Sequence, residues 1–299
     1  MSTAAEFDTL VRLNTADIFD ALGLGPRPRG RRLWAALVAP AARRFAREVV
    51  TFDALVARHG LPAGAEWILR HFLRELQVAG RERLPAAGPL LILANHPGMA
   101  DTVALFVGLG RPDLRIVALE RPFLKALPNV SRQLIFVPED ERARLPVVRA
   151  VAGALRAGQP VLTFPAGAIE PDPAVLPGAS AALENWSASV EVFARLAPQT
   201  QVVTAMVSGV LSPAAQRHPL TRLRRTAHDR ERLAAMLQIM WPGYQGVRVR
   251  IAFGAPRRAA DLLAAYPQPA ALQAAIVAQA RELIEHPPAE WRTVTRGLR

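Results

Sequence analysis

His96 and Asp101, separated by Pro-Gly-Met-Ala, are the side chains of this chain whose types and spacing best suit proton transfer. A carboxylate that accepts one imidazole N–H fixes the ring tautomer and leaves the other nitrogen free to take a proton from a hydroxyl. Such a pair would serve a reaction in which a hydroxyl becomes the nucleophile. At an ordinary Asp frequency, chance gives one such spacing in roughly a quarter of chains with six histidines. The same residues admit a structural role, with Asp101 as a helix N-cap and His96 as a turn residue bonded to the backbone.

The flanking elements decide where the pair would sit. Leu90-Leu-Ile-Leu-Ala94 reads as a buried strand and Asp101–Leu109 as a helix, which puts His96 at the carboxyl end of a strand, where open α/β sheets bind ligands. Further strands are expected at Arg115–Leu119, Gln133–Val137, Pro160–Phe164, Val202–Ser208 and Val247–Phe253. Helices are expected at Ala143–Ala157, Ala181–Leu196 and Ala270–Glu285. This alternation implies an α/β fold, a largely parallel sheet flanked by helices, over residues 81–299.

Residues 1–80 read as an N-terminal helical extension, with helices at Glu6–Leu22, Leu33–His59 and Ala63–Val78 and a Gly/Pro/Arg break at Gly23–Arg32. In the second helix Phe45, Val49, Phe52 and Val56 recur at helical spacing, while Arg43, Arg44 and Arg47 fall largely elsewhere. That stripe suits packing on the rest of the protein or contact with a membrane surface.

Composition narrows the classes. Half of the 299 residues are hydrophobic, enough for a sizeable core. With no cysteine, disulfides, thiolate metal sites and a cysteine nucleophile are excluded. The N-terminus has no basic segment leading into an apolar core, so no export signal is expected, and no apolar run reaches the length of a membrane span. The net charge of +12 favours an anionic partner. Lys125 is the only lysine, so the arginine excess also fits GC-rich coding.

A second stretch, Gln159-Pro-Val-Leu-Thr-Phe-Pro-Ala-Gly-Ala-Ile-Glu-Pro171, again runs a buried strand into a small-residue turn. A turn on Ala166, Gly167 and Ala168 lets a ligand approach backbone N–H groups that can hold an anion or a developing oxyanion. It can equally be an ordinary strand-ending turn.

Together, strand-Asn95-His96-x-x-x-x-Asp101 and, roughly seventy residues later, strand-Phe164-Pro165-x-Gly167 resemble the glycerolipid acyltransferase family that includes the bacterial 1-acylglycerol-3-phosphate acyltransferases. The resemblance covers roughly residues 85 to 255. It implies transfer of a fatty acyl group from a coenzyme A or acyl-carrier-protein thioester to a hydroxyl of a glycerol-phosphate, lysophospholipid or related lipid acceptor, in phospholipid biosynthesis. It implies no metal, no resident cofactor and no covalent acyl-enzyme. His96 would be the base, Asp101 its orienter, Asn95 and Gly98 the shapers of the turn, and the Ala166-Gly167-Ala168 turn, after Phe164 and Pro165, the source of oxyanion donors.

The chain departs from the family's pattern. Ala166 and Ile169 stand where the second block usually has glutamate and arginine, the middle block Leu134-Ile-Phe-Val-Pro-Glu139 lacks its arginine, and Val203-Thr204 replaces a Val-Pro pair. An acceptor phosphate or the donor's pyrophosphate could be held by Arg121 and Lys125, in a stretch resembling the family's basic segment, or by Arg132; each also suits a solvated surface. Glu170 and Asp172 could replace the missing glutamate one turn later, or form a solvent-facing pair. Two degraded blocks leave a non-catalytic basic protein on anionic membrane surfaces as the alternative.

Other classes lack their signatures. There is no Gly-x-Ser-x-Gly elbow, no His-Glu-x-x-His, no P-loop and no dinucleotide fingerprint. The arginine-rich run Arg217–Arg232 has almost no aromatic residues for base stacking, which favours phospholipid headgroups over nucleic acid. The expected location is cytoplasmic, peripheral on the inner face of the membrane.

Overall fold

The computed structural model describes residues 4–25, 30–98, 100–138, 140 and 145–298. Residues 26–29 of the expected break, Met99 in the dyad turn, Glu139 of the middle block and the first two residues of the expected helix at 143–157 lie outside them.

Nine strands are described: β1 Leu73–Ala79, β2 Leu90–Ala94, β3 Arg115–Leu119, β4 Leu134–Val137, β5 Pro160–Thr163, β6 Gln201–Ser208, β7 Val247–Phe253, β8 Arg257–Arg258 and β9 Arg292–Arg296. The helices before β4 are α1 Ala4–Leu22, α2 Arg31–His59, α3 Leu61–Phe72, α4 Asp101–Leu109, α5 Pro122–Lys125 and α6 Pro128–Ser131. After it come α7 Leu145–Arg156, α8 Ala179–Ala182, α9 Ser189–Leu196, α10 Pro213–Gln216, α11 Ala227–Met240, α12 Ala259–Ala265 and α13 Pro269–Glu285.

The strands form one sheet in the order β4-β3-β5-β2-β6-β7-β1-β9, with β8 against β6. The run from β4 to β6 is parallel, so its carboxyl ends share one edge; β7 and β1 are parallel to each other but enter antiparallel to β6. β2 is buried at every residue, as a continuous apolar strand in the middle of a parallel sheet must be. Its alternate residues serve two cores. Leu90, Ile92 and Ala94 pack with α1 through α4, and Leu91 and Leu93 pack with α7, α9, α12 and α13.

Two expectations change, and one of two readings of a third feature holds. Residues 73–79, read as the end of a helix reaching Val78, are a strand: α3 passes straight into extended backbone at Leu73, with no Gly or Pro between them to signal the switch. The helix expected at Ala181–Leu196 is interrupted at Trp186–Ala188, between a short 3₁₀ turn and α9. Finally, the stripe on α2 faces inward: Val49, Phe52 and Val56 lie in the core, and half-buried Phe45 packs against Phe72 and Phe123.

Candidate active site

β2 and β5 are hydrogen-bonded parallel neighbours, with Leu93 opposite Thr163, so the turns that follow them emerge side by side. This adjacency brings the two sequence blocks together. The His96 ring stacks on Phe164, with centroids 4.4 Å apart and ring planes at 29°.

The dyad is formed. His96 Nδ1 lies 2.7 Å from Asp101 Oδ2, at the first residue of α4. The same oxygen accepts the Gly98 N–H at 2.7 Å, and Oδ1 accepts the Thr102 hydroxyl at 2.9 Å and the Thr102 N–H. Asp101 is buried, and its bonds occupy the acceptor positions of an ionised carboxylate. An imidazole donating Nδ1–H to that carboxylate presents a lone pair at Nε2 on a ring that remains 29% exposed. Gly98 has φ +85°, a backbone conformation that favours glycine, and its open side faces Ile169, whose Cδ1 would lie 3.2 Å from an added Cβ.

Asn95 is buried, and both ends of its amide are used. It donates to the Val207 carbonyl at 2.9 Å and accepts the Val207 N–H at 2.7 Å, tying the end of β2 to β6. It therefore positions the turn.

Glu170 and Asp172 do not form a solvent-facing pair: both are buried. Glu170 Oε2 accepts the backbone N–H of His96 at 2.9 Å, Oε1 accepts the Trp186 indole N–H at 2.9 Å, and the Glu170 N–H donates to the His96 carbonyl at 2.8 Å. Asp172 accepts N–H groups from Ala174 at 3.0 Å, Gly209 at 2.8 Å and Leu211 at 3.0 Å, fastening the loop after β6 to the second block. The sequence reading passed over Trp186, hidden inside an expected helix, and Thr102, whose hydroxyl beside Asp101 was the available signal.

The turn between Phe164 and Glu170 stands on residues that both touch His96. Within it the Gly167 N–H, on a residue with φ +65°, bonds to the Phe164 carbonyl at 3.0 Å and closes the turn. Gly167 is thus removed from the expected set of anion donors. Among the described residues no partner takes the N–H of Ala166 or Ala168. Pro165 is buried, and its carbonyl accepts the Ser187 N–H at 3.0 Å.

Arg121 and Lys125 follow β3 on the same edge, two strands from β2. Both are exposed, as the solvated-surface alternative expected. Lys125 pairs with Glu120, and Arg121 acts on Asp17 of α1, whose carboxyl burial raises while Arg232 and Arg121 oppose the rise. Arg132 is exposed.

Electrostatics couple the site. Burial by itself would lower the His96 pKa, but the Asp101 charge and hydrogen bond, helped by the Glu170 charge, outweigh it and raise the ring above its ordinary 6.5. Burial pushes the Glu170 carboxyl up against the pull of the Trp186 and His96 donors. Burial likewise raises Asp172, against its backbone donors.

The site therefore places a His–Asp pair at the carboxyl edge of the parallel strands, next to a turn whose Ala166 and Ala168 N–H groups take no partner among the described residues. The chain is similar to the crystal structure of the 1-acyl-sn-glycerophosphate (LPA) acyltransferase PlsC from Thermotoga maritima, at 12% identity and a TM-score of 0.45 over 96% of this chain and 95% of that one. No curated protein matches it. The Acyltransferase family model matches residues 75–208, a stretch that starts in β1, contains both blocks and ends with the last residue of β6.

Proposed function

We propose that the protein transfers a fatty acyl group from an acyl-CoA or acyl-carrier-protein thioester to a hydroxyl of a glycerol-phosphate, lysophospholipid or related lipid acceptor in phospholipid biosynthesis. The observation that carries this reading is the 2.7 Å contact between His96 Nδ1 and a buried, fully bonded Asp101 carboxylate. His96 Nε2 takes the acceptor's hydroxyl proton as its oxygen bonds to the thioester carbon. The tetrahedral oxyanion is met by the Ala166 and Ala168 N–H groups. When it collapses, the C–S bond breaks and the thiolate leaves with the proton held by His96, which restores the dyad. The atoms balance without a metal or an acyl-enzyme.

The test is to incubate the purified protein with radiolabelled acyl-CoA, then acyl-carrier protein, and a panel of acceptors, and to resolve the lipid products. Labelled glycerolipid is the expected result; no transfer from either donor to any acceptor would overturn the reading. The same assay addresses the phosphate. With Ile169 beside the dyad turn, exposed Arg121, on the same sheet edge, is the proposed phosphate partner. Arg121→Ala should raise the apparent KM for lysophosphatidate at least about tenfold, through loss of a charge-assisted contact. A silent substitution, with a neutral lipid alcohol outcompeting lysophosphatidate, would contradict that assignment.

An anionic membrane surface is the proposed setting. Among the described residues no helix is long and apolar enough to cross a membrane. The exposed apolar residues lie earlier on α2 than the expected stripe: Leu33 is 77% and Leu37 69% exposed, with Trp34 between them. Leu223, 76% exposed, belongs to the arginine-rich segment, whose Arg224 packs directly against Gly23 at the end of α1. Arg217, Arg222, Arg225 and Arg230 of the same segment are also exposed. Exposed apolar side chains together with exposed arginines suit the interface of an anionic bilayer on the cytoplasmic side. Sedimentation should show binding to vesicles of anionic phospholipid that high salt reverses. Leu33→Glu with Leu37→Glu should weaken it at least tenfold, since burying one leucine contributes about 1.5–3 kcal/mol. Equal binding to neutral vesicles and no salt dependence would argue against this surface.

A further inference from the structure

We propose that Glu170 is a positioning residue for the His96 base, holding residue 96 by a reciprocal pair of hydrogen bonds and adding a second negative charge near it; the proposal rests on the acyl-transfer reading. Three contacts carry it. The carboxylate accepts the His96 N–H, its own N–H donates to the His96 carbonyl, and its second oxygen is held by the Trp186 indole. Residue 96 therefore has both backbone polar groups bonded to one residue, on the turn that follows the neighbouring strand. Trp186 in turn is anchored, since its carbonyl accepts the Gln273 side chain at 2.7 Å from α13. This chain of bonds runs from the core of one sheet face to the base.

A hydrogen-bonded pair between Asp101 and the ring fixes the ring's rotation about its own axis of attachment. It does not fix where that attachment lies. Glu170 supplies the second constraint, and base catalysis is sensitive to it because small displacements of a catalytic group reduce rate steeply. The ionised groups acting on His96 are Asp101 and Glu170, and those acting on Glu170 are His96 and Asp101. Neutralising Glu170 removes one of the two charges that favour the imidazolium.

The experiment compares wild type, Glu170→Gln and Glu170→Gln/Trp186→Phe. Glutamine keeps the shape, but it can accept only through one oxygen and turns its NH₂ toward one of the two N–H donors. Glu170→Gln should lower kcat at least about tenfold with KM changed less than about threefold, and should move the acidic limb of the pH–rate profile to lower pH. In the double variant the NH₂ faces a phenyl ring, the amide oxygen is free for the His96 N–H, and kcat should recover in part. The acidic limb should stay displaced, because the charge is still missing. Loss of activity without displacement of the limb, or wild-type kinetics in Glu170→Gln, would overturn the proposal.

A readout independent of turnover separates failure of this inference from failure of the function. NMR titration of the His96 ring, identified by its absence in His96→Gln, should show a lower pKa in folded Glu170→Gln than in wild type. An unchanged titration refutes the charge effect whatever reaction the protein catalyses. Absence of acyl transfer by wild type, with the titration displaced, instead refutes the acyl-transfer reading.

Discussion

His96→Ala should lower the turnover of acyl transfer by about 10³-fold or more, within the range that positioned bases contribute, while thermal unfolding stays close to wild type. The ring is partly exposed, and Asp101 keeps its bonds to Gly98 and Thr102 without it, so no buried charge is stranded. Asp101→Asn should cost about 10²–10⁴-fold for a different reason. If the amide oxygen stays with the Thr102 donors, the NH₂ group faces His96 Nδ1, the ring must accept there, and its proton moves to Nε2. A base protonated at its working nitrogen cannot accept a hydroxyl proton. Near-wild-type turnover in purified, folded His96→Ala, measured with labelled acyl-CoA, would remove His96 from the mechanism.

The same ring sets the pH dependence. Its pKa is raised because Asp101 and Glu170 together outweigh burial, so kcat/KM should fall with decreasing pH along a limb lying above the ordinary imidazole value. For stability the sign is opposite: a raised pKa contributes stability fully present below 6.5 and lost as pH rises through the folded value. The protein should therefore gain stability from His96 in the range where it loses activity. His96→Gln should abolish both dependences, and parallel rate and urea-unfolding profiles would detect either failing to change.

Asp172→Ala should reduce the free energy of unfolding by about 3–5 kcal/mol in urea denaturation, as expected for deleting one side of a buried charged network. Its side chain is fully buried, and three N–H groups, of Ala174, Gly209 and Leu211, would lose their acceptor together. Asp172→Asn should cost less, because one oxygen still serves Ala174 and Gly209 while only Leu211 meets a competing NH₂. A loss under about 1 kcal/mol in Asp172→Ala would show that water replaces the carboxylate there. Val207, to which Asn95 is tied, lies in β6 just before that loop, so partial loss of activity should accompany the loss of stability.

The sequence by itself determined what depends on neighbours along the chain. β2, β3 and β7 fall at the residues where their apolar runs lie, α4 spans Asp101–Leu109 as its pattern requires, and the dyad was legible because a strand end, a six-residue connection and a helix start are all local. Whatever depends on which strands pair was decided only by the tertiary structure. β1 looked helical because its partners, β7 and β9, lie far along the chain and nothing in Leu73–Ala79 names them. The α2 stripe could be read toward core or membrane until α3, α5 and the sheet closed over it and left Leu33 and Leu37 outside. Glu170 was ambiguous between surface and site for the same reason: parallel pairing of β2 with β5 places its turn against His96, and a buried carboxylate must find donors where the fold puts them. Local periodicity is written into successive side chains, whereas burial and partner choice are properties of the closed sheet.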